Sequence, residues 1–198
     1  MAPHDTILLA SASPRRRALL EQIGVAHQVE PADLDESRAA GEAPAAYVER
    51  LARAKADALA RIHPAAVVLA ADTAVVLGGE LFGKPQDLNE GLRMLRALSG
   101  RTHTVLTAVA VRHARGADAR LSVSEVSFRA LTEFECRRYW DSGEPRGKAG
   151  GYAIQGLAAT FIVRLAGSYS GVMGLPLAET AELLGAAGVR LWNSEVAA

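Results

Sequence analysis

The chain has a single cysteine, Cys136, among its 198 residues. It therefore forms no internal disulfide, and this cysteine usage fits a reducing compartment. Cys136 lies in a helical stretch with no evident base partner and reads as an inert thiol. There is no excess of either charge, because 22 Lys and Arg balance 22 Asp and Glu. The whole molecule is then no magnet for nucleic acid or an anionic membrane, and any anion site must be local. Aromatic residues make up 5%, with only four Phe, which argues against the stacking platforms of general nucleic-acid binding. No apolar run reaches transmembrane length. Met1–Asp5 has no basic start and the following apolar run ends by Ala10, so no signal peptide is expected. His4, His27, His63, His103 and His113 show no metal-ligand spacing, so no zinc site is expected. A soluble, cytoplasmic protein is the expectation. Without repeats, low-complexity segments or long linkers, residues 1–198 are expected to form one domain. A domain of this size buries roughly 70% of its unfolded surface and needs no covalent staples.

What the chain does contain is a regular alternation of elements. Ile7–Ala10 reads as a buried strand, Arg15–Ile23 as a helix stopped at Gly24, and Ala26–Glu30 as a short strand. Residues 32–44 are polar and acidic and read as a loop. Tyr47, Val48, Leu51, Ala54, Ala58 and Leu59 recur at helical spacing across Pro44–Arg61. Ala65–Ala71 is an apolar run typical of a strand buried on both faces, with Asp72 at its carboxyl end. Thr73–Leu77 continues extended to a Gly78-Gly79 hairpin turn. Asn89–Leu98 is an amphipathic helix. Thr102–Arg112 and Arg120–Arg129 alternate as antiparallel strands around a turn near Gly116 and Asp118. Thr132–Asp141 opens with a capping-box pattern at Thr132 and Glu135. Glu144–Gly156 is glycine-rich and loop-like, Thr160–Leu165 a strand, Leu175–Ala187 a helix. Leu191–Ala198 is either a docked tail or a disordered one. Together these define an α/β domain with a central, mixed, partly antiparallel sheet flanked by helices.

The segment Ile7–Leu20 is the most informative. Ser13 suits an N-cap and Pro14 the first helical position, which puts Arg15, Arg16 and Arg17 in the first helical turn. A helix start already carries partial positive charge and prefers acidic side chains. Arginines there make sense around an anion, since backbone N–H groups, serine hydroxyls and guanidinium forks are the donors phosphate oxygens take. The other reading is a solvated basic turn paired with distant carboxylates.

Ligands of open α/β sheets sit beyond the carboxyl ends of the strands. Two apolar strands end in reactive groups here, one at Ser11–Arg16 and one at Asp72-Thr73. If they share a sheet, a carboxylate faces an anion-binding turn, as metal-assisted attack on a phosphate requires. Asp72 would hold a divalent ion, orient a water or accept its proton; otherwise it caps a turn. Mg²⁺ or Mn²⁺ would offset the charge of a nucleoside triphosphate, with Glu36 in the acidic loop as a second oxygen ligand.

Other residues are ambiguous by themselves. Lys55 shares a helix with Arg50 and Arg53, which a solvated face would explain. Lys84 precedes Pro85 at the end of a hairpin and reads equally as surface. The Gln155 amide offers both a donor and an acceptor, matching a uracil or thymine edge, or else faces water. Lys148 lies in the same glycine-rich loop. Gly78 to Lys84 matches a P-loop pattern, but Pro85 stands where Ser or Thr should hold Mg²⁺ and the stretch contains its own hairpin turn.

Ser11-Ala12-Ser13-Pro14-Arg15-Arg16 with Leu19-Leu20 resembles the opening signature of the Maf family of nucleotide pyrophosphatases. The resemblance continues through Glu36, Arg53 to Lys55, Ala71-Asp72-Thr73, Gly83-Lys84-Pro85, Leu98-Ser99-Gly100, Lys148 to Tyr152, Ile154-Gln155-Gly156 and Gly174-Leu175-Pro176. It implies a Maf/ITPase-like fold with a cleft between two lobes, and a homodimer. It implies a polyphosphate site of Ser11, Arg16, Glu36, Lys55, Asp72 and Lys84, with Asp72 the catalytic acceptor. It links Arg15, Thr73 and Gln155 to base choice, in the pattern of the branch hydrolysing dTTP and UTP. The same reaction on 7-methyl-GTP, and a non-catalytic nucleotide-binding regulator of cell division, are the alternatives.

Overall fold

Two apolar runs near the N-terminus, separated by helices, become neighbouring parallel strands. The computed structural model describes residues 6–192. The expectation about Met1–Asp5, and that about the tail from residue 193 onward, lie outside them. Of the stretch Leu191–Ala198, Trp192 donates its backbone N–H to the Ile23 carbonyl (2.9 Å) while its side chain stays exposed.

The first strand, β1 (Ile7–Leu9), is wholly buried. After it come α1 (Pro14–Gln22), β2 (His27–Val29) and α2 (Pro44–Ile62). Next are β3 (Val68–Leu77), β4 (Glu80–Phe82) and α3 (Leu88–Leu98). The long strands β5 (Thr102–His113) and β6 (Gly116–Phe128) precede α4 (Glu133–Asp141). Two short 3₁₀ turns, Ala149–Gly151 and Leu157–Phe161, lead to β7 (Ile162–Ala166), α5 (Tyr169–Met173) and α6 (Leu177–Ala186). The strand order is β2-β1-β3-β5-β6-β7, with β4 also on β3. Strand β1 runs parallel to β2 and β3, whereas β4 is antiparallel to β3 and β7 to β6. This is the mixed sheet expected. None of the described helices is long and apolar enough to cross a membrane.

Several boundaries differ from expectation. Asp72 does not end its strand: β3 starts at Val68 and runs through Asp72 to Leu77, because the β-branched stretch beyond it pairs with β4. Gly78 and Gly79 then turn the chain with φ of 58° and 85°, the paired positive values that a tight hairpin needs and glycine supplies without strain. Strand β6 begins at Gly116 and not near Arg120, since residues 114–115 suffice to reverse the chain. Ser13 occupies the N-cap of α1, but its side chain makes no capping bond. Helix α6 starts only at Leu177, and the short helix α5 before it had no counterpart in the sequence reading.

The chain divides into two compact units. The first is Met1–Asp72, Thr107–Ser122 and Gly174–Ala198; the second is Thr73–Leu106 and Val123–Met173. The first buries Leu9, Leu20, Val48, Leu51, Leu69 and Leu184. The second has a core of Phe82, Leu95, Leu98, Val105, Phe128 and Phe161, in which the Phe128 ring meets those of His103, Tyr152 and Phe161 edge-on.

Candidate active site

The site is built where β1 stops. The Ala10 N–H makes the last link to β3, at the Leu69 carbonyl (2.8 Å). Ser11 follows in β1's path, and Asp72 lies three residues further along β3. Along β3 the pairing with β1 covers Val68 and Leu69 and that with β4 covers Val75 to Leu77, so Asp72 falls between the two paired stretches. Ser11 and Asp72 are both buried, at 7% and 8% exposure.

Helix α2 delivers the cation. Its buried residues are Val48, Leu51, Ala52, Lys55, Ala56 and Leu59, a stripe at helical spacing in which Lys55 takes an apolar place. A lysine so buried has to be paired. Its Nζ lies 2.7 Å from Asp72 Oδ1 and 2.6 Å from Glu36 Oε1. The solvated-face reading of Lys55 is thereby corrected; Arg50 and Arg53 on the same helix are the exposed ones. The apolar spacing of α2 was the signal that placed Lys55 inward.

Arg16 is held both by a distant carbonyl and by its own turn. Its Nε donates to the Gly174 carbonyl (2.8 Å) and its Nη1 to Ser11 Oγ (3.0 Å). Ser11 Oγ also accepts the Ser13 N–H (3.2 Å), so the first serine of the turn does the local bonding expected of the second. Burial pushes the Arg16 pKa down, while the carboxylates of Asp72 and Glu36 hold it up and Arg15 lowers it further. An arginine stays charged through such shifts.

The Glu36 loop is held by residues that the sequence reading did not single out. Tyr47, in the first turns of α2, donates its hydroxyl to the Glu36 carbonyl (2.9 Å). Arg50 reaches the Ser37 carbonyl (3.1 Å) and forks onto the Glu42 carboxylate (2.6 and 2.8 Å). That fork holds the Glu42 carboxyl at about 2. Burial, then Asp72 and Glu36, push the Tyr47 phenol up. Nothing in the residue pattern of the loop signals these ties, which are long in sequence.

Direct contacts thus join Glu36, Lys55 and Asp72, and join Ser11 with Arg16, all in the first unit. Arg15 is half-buried in the first turn of α1. Thr73, Lys84 and Gln155 belong to the second unit. Thr73 follows Asp72 in β3, half-buried; Lys84 and Gln155 are exposed, in the segments after β4 and before the second 3₁₀ turn. The stretch Gly78 to Lys84 is a hairpin and strand β4, and the helix after it starts only at Leu88, so it is no P-loop. Cys136 is buried, and burial pushes its thiol up.

Among the described residues, no group of three or more His, Cys, Asp or Glu side chains could hold a metal. Glu36 and Asp72 nevertheless converge on one ammonium. Two carboxylate oxygens around a single cation suit a hard divalent ion whose remaining ligands are phosphate and water.

The fold is that of an α/β protein with an open mixed sheet, carrying fixed cations and carboxylates where a strand ends. More particularly, the Maf-like protein family model matches residues 6–187, and the chain belongs to that family. It is 50% identical over 190 residues, 94% of either chain, to the dTTP/UTP pyrophosphatase of Hahella chejuensis. It is 52% identical over 198 residues to that of Cupriavidus pinatubonensis, covering 94% of this chain and 99% of the relative. The dTTP/UTP pyrophosphatase of Ralstonia nicotianae is 52% identical over 202 residues, with coverage of 96% and 98%. Among solved structures, the Staphylococcus aureus Ham1 protein aligns with 62% of this chain and 71% of its own, at 15% identity and a TM-score of 0.44.

Proposed function

We propose that this protein hydrolyses dTTP and UTP between the α- and β-phosphates, giving the nucleoside monophosphate and pyrophosphate. Modified pyrimidine triphosphates fall in the same class. The observation that carries this reading is the Lys55 ammonium bridging Glu36 and Asp72, beside the Ser11–Arg16 turn. The relatives named dTTP/UTP pyrophosphatase support the substrate class.

In this reading water attacks phosphorus at the α–β bridge, the anhydride P–O bond breaks, and pyrophosphate leaves with the electron pair. Asp72 accepts the water's proton. Its carboxylate is buried and fixed by Lys55, which keeps it aimed without a reorganisation step. The Arg16 guanidinium, anchored through Ser11 and Gly174, brings a fixed positive charge and its N–H donors to phosphate oxygens. Ser11, Lys55 and Lys84 add donors for charge that develops on the phosphates. Arg15, Thr73 and Gln155 meet the base. Glu36 and Asp72 would hold Mg²⁺ or Mn²⁺, which supplies neutralisation of phosphate charge when bound. The same reading has one domain over residues 1–198 acting as a homodimer in the cytoplasm, without stable nucleic-acid or membrane partners. The balanced charge and the single buried cysteine support the last two points.

Pyrophosphate release from a panel of nucleoside triphosphates, with Mg²⁺, Mn²⁺ or chelator, tests it in wild type and Asp72→Asn. Metal-dependent turnover of dTTP and UTP, lost in a folded Asp72→Asn protein, is the expected outcome. Wild-type turnover in that variant overturns the mechanism, and turnover centred on another base overturns the roles of Arg15, Thr73 and Gln155.

A further inference from the structure

The second unit contains a hydrogen-bonded clip around Gln155. Tyr139, in α4, is buried and packs edge-on against Phe161. Its hydroxyl donates to Glu144 Oε1 (2.7 Å) and accepts the Ala153 N–H (3.1 Å). Glu144 Oε2 accepts the Leu157 N–H (2.9 Å), and Oε1 the Ala158 N–H (3.3 Å). Between these anchors the Gly156 N–H closes onto the Ala153 carbonyl (3.1 Å). The turn from Ala153 to Gly156 is therefore pinned on both sides of Gln155, whose own side chain is exposed. Gly156 is part of the device, because a Cβ there would lie 2.2 Å from Glu144 Oε2. Lys148 Nζ donates to the Glu144 carbonyl (2.6 Å), which ties the preceding loop to the same residue. Burial disfavours a charged Glu144, but the bonds from Leu157, Tyr139 and Ala158 outweigh it and hold the carboxyl below its ordinary range.

We propose that Tyr139 and Glu144 are positioning residues for pyrimidine recognition, fixing the turn that presents the Gln155 amide to the base. This rests on the function proposed above. A uracil or thymine edge runs acceptor, donor, acceptor, and a side-chain amide answers it with one donor and one acceptor. CTP has the same shape but a different edge. A site that hydrogen-bonds one edge rejects the other by leaving polar groups unpaired, provided the amide cannot relax to suit it. A turn pinned at Ala153, Leu157 and Ala158 denies that relaxation and spares the ordering cost at binding.

The test measures kcat and KM for UTP and CTP in Tyr139→Phe, Glu144→Gln and Gln155→Ala, with melting temperatures. Tyr139→Phe keeps the ring and removes only the hydroxyl. Glu144→Gln keeps the size but sets an NH₂ among three donors. The expected result is a rise of about tenfold in KM for UTP in both clip variants, with kcat within about twofold. Preference for UTP over CTP shrinks toward that of Gln155→Ala, and the double variant Tyr139→Phe/Gln155→Ala is no worse than Gln155→Ala alone. If both clip variants keep wild-type preference while Gln155→Ala loses it, the proposal is overturned and the role of Gln155 stands. If Gln155→Ala also keeps it, the Gln155 reading fails and takes the proposal with it. An equal fall in kcat for both nucleotides with KM unchanged marks a merely structural role and overturns the proposal. If Glu144→Gln does not fold, Tyr139→Phe decides.

Discussion

The Lys55 ammonium and the Asp72 carboxylate, 2.7 Å apart, form a buried ion pair between α2 and β3. Lys55 occupies a core-facing place on its helix, so the pair is built into the packing of the first unit. Removing Lys55 takes the shared cation from both Asp72 and Glu36, and breaking a buried ion pair from one side typically costs about 3–5 kcal/mol. Lys55→Met is expected to lower unfolding stability by about that amount and to remove activity. Chemical denaturation with pyrophosphate-release assays checks both. Asp72→Asn keeps an acceptor for Lys55 and leaves it paired with Glu36, so it is expected to lose less stability than Lys55→Met yet be inactive.

Arg16 meets the Gly174 carbonyl and Ser11 Oγ with two different nitrogens of one plane. A lysine cannot reproduce that fork. Arg16→Lys is therefore expected to lose about 10²–10³ in kcat with the fold intact. Steady-state rates at saturating metal, alongside a circular dichroism melt, decide it; a lysine variant at wild-type rate would sink the phosphate role of the fork.

Tyr47 donates its hydroxyl to the Glu36 backbone carbonyl and not to a carboxylate of the site. Tyr47→Phe removes one hydrogen bond, typically worth about 1 kcal/mol, and loosens the loop that carries Glu36, which Arg50 and Lys55 still hold. The metal concentration for half-maximal rate is expected to rise severalfold, with kcat recovered at saturation. A Mg²⁺ titration reads this directly, and an unchanged midpoint would show that Tyr47 does not position Glu36.

His103 is buried at 2% exposure, with Nε2 2.8 Å from the Tyr152 hydroxyl and no hydrogen-bond partner at Nδ1. Burial disfavours the imidazolium and lowers the folded pKa from 6.5 to about 4. As pH falls, the unfolded chain takes up this proton first, so stability is lost between about pH 6.5 and 4 and is fully present above. The loss is on the order of 3 kcal/mol. Unfolding free energies of wild type and His103→Gln across that range are expected to diverge, with the variant's acid limb flatter.

Apolar periodicity and turn chemistry are local, so the order and type of most elements were legible in the residues alone. The runs at Ile7–Ala10 and Ala65–Ala71 marked β1 and the start of β3, and Thr132 with Glu135 formed the capping box they spelled out. The basic serine turn was legible because arginines in a first helical turn conflict with the helix dipole. Family membership was legible because its motifs are short and contiguous. The rest came from the packing of distant segments. Lys55 became the centre of the acidic pair through the rotation of α2 against β3. Ser11, not Ser13, took the local bonds because Arg16 reached back to it. Gly174 entered the site across 158 residues of chain, and Tyr139 and Glu144 clasped a turn that periodicity left as a plain loop. Each of these depends on which side chains meet once distant segments pack, and a burial pattern specifies a face without naming the partner on it.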